Sequence, residues 1–138
     1  MDPSRSLGFG LKRLQQALRA RMDGGLAEFG LTAPQYAVLA LLAADSGISN
    51  AELARRSFVA APTMIRIVTT LEEGGLIVRG EHPAEGRVMR TELTAAGRER
   101  LAAAAAHVQK MEDVLNSHAG QAAEVILAWL NASADALD

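Results

Sequence analysis

At 138 residues the chain has room for one domain or two small lobes sharing a core, and its 49% hydrophobic and 22% charged residues exclude a disordered tail. Cysteine is absent, which excludes disulfides, thiolate nucleophiles and thiol redox switches. A net charge of −2 runs against the basic balance of many nucleic-acid binders, so such a role requires cations gathered locally.

Met1 to Gly10 lack the basic end, apolar centre and cleavage site of a signal peptide. No apolar run approaches the roughly 20 residues that cross a bilayer. The expectation is a cytoplasmic protein with no membrane partner. Leu7, Leu11, Leu14 and Leu18, followed by Met22, then lie on one face of a first helix. That seam reads as intrachain core or as a dimer surface. Gly24-Gly25 is expected to punctuate or end the helix.

A second helix starts at a Thr32-x-x-Gln35 capping box with Pro34 in its first turn, and stops at Asp45-Ser46-Gly47. A third, short helix begins at Ser49, with Glu52 placed for another capping box. After the turn at 57–61, Pro62 opens a fourth helix. There Ile65, Val68 and Leu71 are expected to face inward, leaving Pro62, Thr63, Met64, Arg66, Thr69 and Thr70 accessible. Gly74-Gly75 ends it, with Leu76 placed for a C-cap contact.

Period two follows. Ile77 to Arg79 read as one strand and Arg87 to Leu93 as another, with a hairpin tip marked by Gly80, Pro83 and Gly86. On the second strand Met89, Thr91 and Leu93 alternate with Val88, Arg90 and Glu92. Thr94 caps a long Ala-rich helix to about Asn116, and a last helix covers Ala122 to about Ala136. The predicted architecture is mainly α with a small β-hairpin wing: a winged helix-turn-helix.

In that architecture the fourth helix is the candidate reader. Arg66 near its start suits a bidentate grip on guanine O6 and N7, and the threonines suit thymine methyls or phosphates. The wing supplies Arg79, His82, Glu85, Arg87 and Arg90. Glu85 is positioned to brace Arg87 for a narrow minor groove. The alternatives are a solvated helix face and an ordinary surface hairpin. Six arginines stand against five glutamates between Ser49 and Arg90, so DNA binding requires the glutamates to point away.

The strings "GLTAPQYAVLALLA", "SNAELARRSFVAAPTMIRIVTTLEEGGLIVR" and "AEGRVMRTELTAAGRERL", within Gly30 to Leu101, resemble the multiple-antibiotic-resistance regulator (MarR) family. The resemblance implies a recognition helix in the major groove, a wing arginine in the minor groove, terminal helices intertwined between two subunits, and a small aromatic effector. It assigns Leu7, Leu11, Leu14 and Leu18, with Val125, Ile126, Trp129 and Leu130, to dimerisation. The chain departs from the family pattern at Glu85, usually Asp, and at Val59-Ala60-Ala61, which lacks the Ser, Asp or Arg often found there.

His107 and His118, about 16 Å apart on a continuous helix, cannot share an ion within one chain. No Cys cluster, nucleophile elbow or phosphate-cradling Gly loop is present, so neither cofactor, metal nor catalysis is expected. The resulting expectation is a homodimeric, sequence-specific transcriptional regulator, a repressor of a pseudo-palindromic double-stranded operator relieved by a small molecule. Residues 1–30 and 102–138 would dimerise and 31–101 bind DNA. A winged-helix protein-interaction module without DNA binding and a metal-responsive regulator are the alternatives.

Overall fold

A computed structural model describes residues 1–82 and 88–138. Helix α1 (Leu7–Leu26) is capped by Ser6, whose hydroxyl accepts from the Phe9 amide. Gly24-Gly25, expected to punctuate or end the helix, lies in its last turn, and α1 ends one residue later at Leu26. Gly25 faces a distant helix. A Cβ on Gly25 would stand 1.9 Å from the His107 ring, and His107 Nε2 lies 3.1 Å from the Arg21 carbonyl. Tertiary contact thus offsets a helix penalty of about 1 kcal/mol per glycine. The chain turns at Gly30, in the left-handed conformation (φ 70°), with Leu31 donating back to the Leu26 carbonyl.

Helix α2 (Ala33–Ala44) forms the predicted capping box: Gln35 N donates to Thr32 Oγ1 and Thr32 N to Gln35 Oε1. Its Val38, Leu39 and Leu42 are buried. Helix α3 (Asn50–Ser57) takes its cap from Ser49, but the reciprocal half of the predicted box is not made. Glu52 turns instead to two arginines on its own helix.

Helix α4 (Ala61–Glu73) inserts Met64, Val68 and Leu71 into the core. The expected inward Ile65 and outward Met64 are therefore exchanged. Met64 precedes Val68 by four residues and Leu71 by seven, so it falls between them on the helical wheel; Ile65 falls about a quarter turn away. The helix ends as predicted. Leu76 N donates to the Leu71 carbonyl and Gly75 N to that of Glu72, with Gly75 left-handed and Leu76 buried.

Strands β1 (Ile77–His82) and β2 (Val88–Leu93) pair antiparallel in the register Ile77↔Leu93 and Arg79↔Thr91. The first strand extends beyond the predicted Arg79, because β2 continues to supply partners at Gly80↔Arg90 and His82↔Val88. The alternation holds: Thr91 and Leu93 are buried while Glu92 is exposed. Ile48 bridges to Thr91, tying the loop before α3 to the wing.

Thr94 caps helix α5 (Ala95–Ala119), accepting from Gly97 N and donating to the Gly75 carbonyl. Gly97 is where α5 presses on the preceding loop, since a Cβ there would come within 2.0 Å of the Leu76 carbonyl oxygen. Helix α6 (Ala123–Leu137) follows a short 3-10 turn. The core gathers α2, α3, α4 and the hairpin, and it includes Leu26 of α1 and Ala104 of α5. Both terminal segments therefore share the central core. Among the described residues, no single helix is long and apolar enough to cross a membrane.

Candidate nucleic-acid interface

Between α3 and α4 the chain reverses at Phe58, which takes a left-handed conformation (φ 57°) and is 94% exposed. Val59 N donates back to the Ala54 carbonyl, and Ala60 begins α4 with no side-chain cap. The first turn of α4 thus presents the positive end of the helix dipole without a local side chain neutralising it. Pro62 is exposed in this turn and Thr63 half-buried.

Arg66 projects outward one turn further on; among the described residues its guanidinium hydrogen-bonds only to the Thr63 hydroxyl, at 3.5 Å. Thr70 is exposed, whereas Thr69 is half-buried and donates its hydroxyl to the Ile65 carbonyl at 2.7 Å. Met64, expected on this face, is fully buried and cannot touch DNA. Met64→Ala should accordingly act on stability, costing about 2–5 kcal/mol through a core cavity. Denaturant unfolding checks this. A variant as stable as wild type would return Met64 to the reading face.

Two of the wing arginines are tied to the protein. Arg79 grips Glu72 of α4 with both arms of its fork, at 2.8 and 3.2 Å, and holds that carboxyl below its ordinary range. The pair fixes the angle between wing and reading helix; Arg79 is a clamp at the wing's root. Arg90 donates to the Gly47 carbonyl at 2.6 Å and is half-buried beside the start of α3. His82 ends β1. Glu85 and Arg87, the proposed brace and minor-groove cation, lie outside the described residues.

A second ion network was not foreseen. Glu52 accepts from Arg55 and Arg56 at i+3 and i+4, and Arg56 reaches across to Asp45 at 3.1 Å. The Glu-x-x-Arg-Arg spacing was the available signal. These hydrogen bonds, Arg55's first, lower the Glu52 carboxyl from 4.5 to about 2. A depressed folded value means stability that is present above pH 4.5 and lost as pH falls towards 2. Glu52→Gln should therefore melt lower than wild type at pH 7 and lose less between pH 5 and 2. Parallel melting curves across that range would overturn the assignment. Of the glutamates in the segment, Glu52 and Glu72 thus face arginines of the same protein, while Glu73 is exposed at the end of α4.

The terminal helices present a different surface. Leu7, Leu11 and Leu14 of α1 and Val125, Ile126, Trp129 and Leu130 of α6 are exposed, with Leu18 half-buried. Helix α6 has no buried residue along its whole length. Val114 and Leu127, not singled out in the sequence, add to this apolar surface. A groove of about 650 Å³ opens between Leu14, Leu115, Ile126 and Leu130. Among the described residues no group of three His, Asp or Glu side chains is gathered to hold a metal ion.

Residues 29–88 match the sequence model of the MarR family. The chain is 36% identical over 92 residues to the HTH-type transcriptional repressor Rv2887 of Mycobacterium tuberculosis, a match covering 67% of this chain and 66% of the repressor's own length. Its structure resembles that of the transcriptional repressor CouR bound to a 23-mer DNA duplex, with TM-score 0.82 and 32% identity over 96% of this chain and 94% of CouR. The PcaV transcriptional regulator of Streptomyces coelicolor, solved with its natural ligand, aligns at TM-score 0.87 and 27% identity, covering 100% of this chain and 98% of PcaV.

Proposed function

As the chain belongs to the MarR family, we propose that it is a homodimeric, sequence-specific DNA-binding repressor, acting in the cytoplasm and released from its operator by a small aromatic ligand. The observation that carries the reading is the exposed first turn of α4, with Arg66 outermost and the wing locked beside it by the Arg79–Glu72 pair. A helix held at its far end presents its N-terminal side chains to a major groove in one register. CouR, seen on a DNA duplex, supports that use of the fold.

Dimerisation follows from α6, which has no buried residue and leaves Val125, Ile126, Leu127, Trp129 and Leu130 between 38% and 71% exposed within one chain. A twofold dimer would bring two reading helices to half-sites about one helical turn apart, hence a pseudo-palindromic operator. The aromatic effector rests on relatives: Rv2887 has been solved with salicylic acid and CouR with p-coumaroyl-CoA.

The test is binding of the purified chain to duplex DNA across a salt series. A binder that neutralises phosphates loses affinity steeply as salt rises, with a log–log slope of about −0.9 per contact. Absence of salt-dependent duplex binding would overturn the reading in favour of a protein-interaction module. For the effector, salicylate should bind the free dimer better than the DNA-bound one, because coupling between two sites is reciprocal.

A further inference from the structure

Part of the reading face of α4 is hydrocarbon. Ala61, Ile65 and Thr69 recur every four residues and form one row along the helix; Pro62, Arg66 and Thr70 form the next. The second row is polar from Arg66 onward. In the first, Ala61 is exposed, Ile65 is 51% exposed, and the Thr69 hydroxyl is turned back onto the Ile65 carbonyl. With its hydroxyl engaged inside the helix, Thr69 adds its γ-methyl to the row.

An apolar row beside Arg66 would desolvate polar base edges without pairing them, an unfavourable contact almost everywhere in a major groove. One group there is different. The C5-methyl of thymine is the hydrocarbon feature that the four base pairs present on that side. Resting on the DNA-binding reading above, we infer that the row Ala61–Ile65–Thr69 reads thymine methyls, so that each half-site carries thymines next to the base pair Arg66 contacts.

The dimensions suit this partner. Residues four apart rise about 6 Å along a helix, close to two base-pair steps of about 3.4 Å. The row is one side chain wide, flanked by Arg66 and Thr70 and closed one turn on by the Glu72–Arg79 pair. A stable protein partner needs about 20–30 residues on each side, which a single row does not provide.

The experiment starts by selecting sites for the full-length protein from randomised duplexes. Thymines in the recovered half-sites are then replaced one at a time by uracil, which keeps the hydrogen-bonding edge and removes only the methyl. At the thymine under Ile65, affinity should fall about fourfold per half-site, the effect of one buried methyl, and roughly fifteenfold when both half-sites change. Ile65→Ala, at an exposed position, should bind the thymine and uracil duplexes nearly alike. Uracil tolerated within 1.5-fold at every position, recovered half-sites without thymine, or an undiminished uracil penalty in Ile65→Ala would each overturn the inference while leaving DNA binding intact. If no duplex is recovered or bound at any salt, the DNA-binding reading itself fails, a distinct result.

Discussion

Replacing Leu11 and Leu14 together by Asp should leave a folded monomer that no longer binds paired half-sites. Both leucines lie on one stripe of α1 and are 41% and 49% exposed, so roughly half of each side chain awaits burial. At about 2 kcal/mol for a whole leucine, four half-buried leucines across a twofold interface contribute about 4 kcal/mol, a thousandfold in the dimer constant. Carboxylates would add the cost of desolvating charge in an apolar seam. Because the core around Leu39, Met64 and Val68 does not include these positions, the lobe should stay helical. Sedimentation and circular dichroism read the two parts separately. A wild-type chain that sediments as a monomer at micromolar concentration, or a double variant that stays dimeric, would remove the interface from the explanation.

Arg66→Ala should weaken operator binding by a comparable amount but for a different reason. The side chain is exposed and its one hydrogen bond among the described residues, to Thr63, is long, so the fold has little to lose. A good bidentate contact to guanine discriminates by about 1–3 kcal/mol, and a symmetric dimer makes it twice, giving about 2–6 kcal/mol. The loss should relax base preference at one position in each half-site. Arg87→Ala should act in another way, lowering affinity for most sequences and flattening the salt dependence by about one unit of slope per lost phosphate contact. Binding to operator and mutated-operator duplexes over a salt series distinguishes them. If both variants stay within twofold of wild type, the docking mode is wrong.

Much of the scaffold of this interface was legible because its signals are local. The Thr32–Gln35 box, the Thr94 cap and the Gly75 left-handed exit each close hydrogen bonds over a few residues, and each forms as expected. The strand alternation around Thr91 and Leu93 was equally local, set by which side of the hairpin meets the core. The exchange of Met64 and Ile65 was also written in the chain, in the four-then-three spacing to Val68 and Leu71. It was obscured because Ile65, Val68 and Leu71 make a second apolar series sharing two members with the true one.

Residue types and spacing by themselves determined the order of helices and hairpin, the caps, and the placing of Arg66 in the first turns of a helix opened by Pro62. Only the tertiary structure decided what those pieces meet. The last turn of α1 has room only for glycine at Gly25 because His107, 86 residues beyond the Arg21 carbonyl it faces, fills the notch there. Arg79 holds the wing because folding brings it to the Glu72 carboxylate, and Arg56 reaches Asp45, eleven residues earlier, because the turn between α2 and α3 places them together. Caps and turns are settled by bonds within reach of a few residues; the destination of a long charged side chain or a helical glycine depends on the surface folded against it.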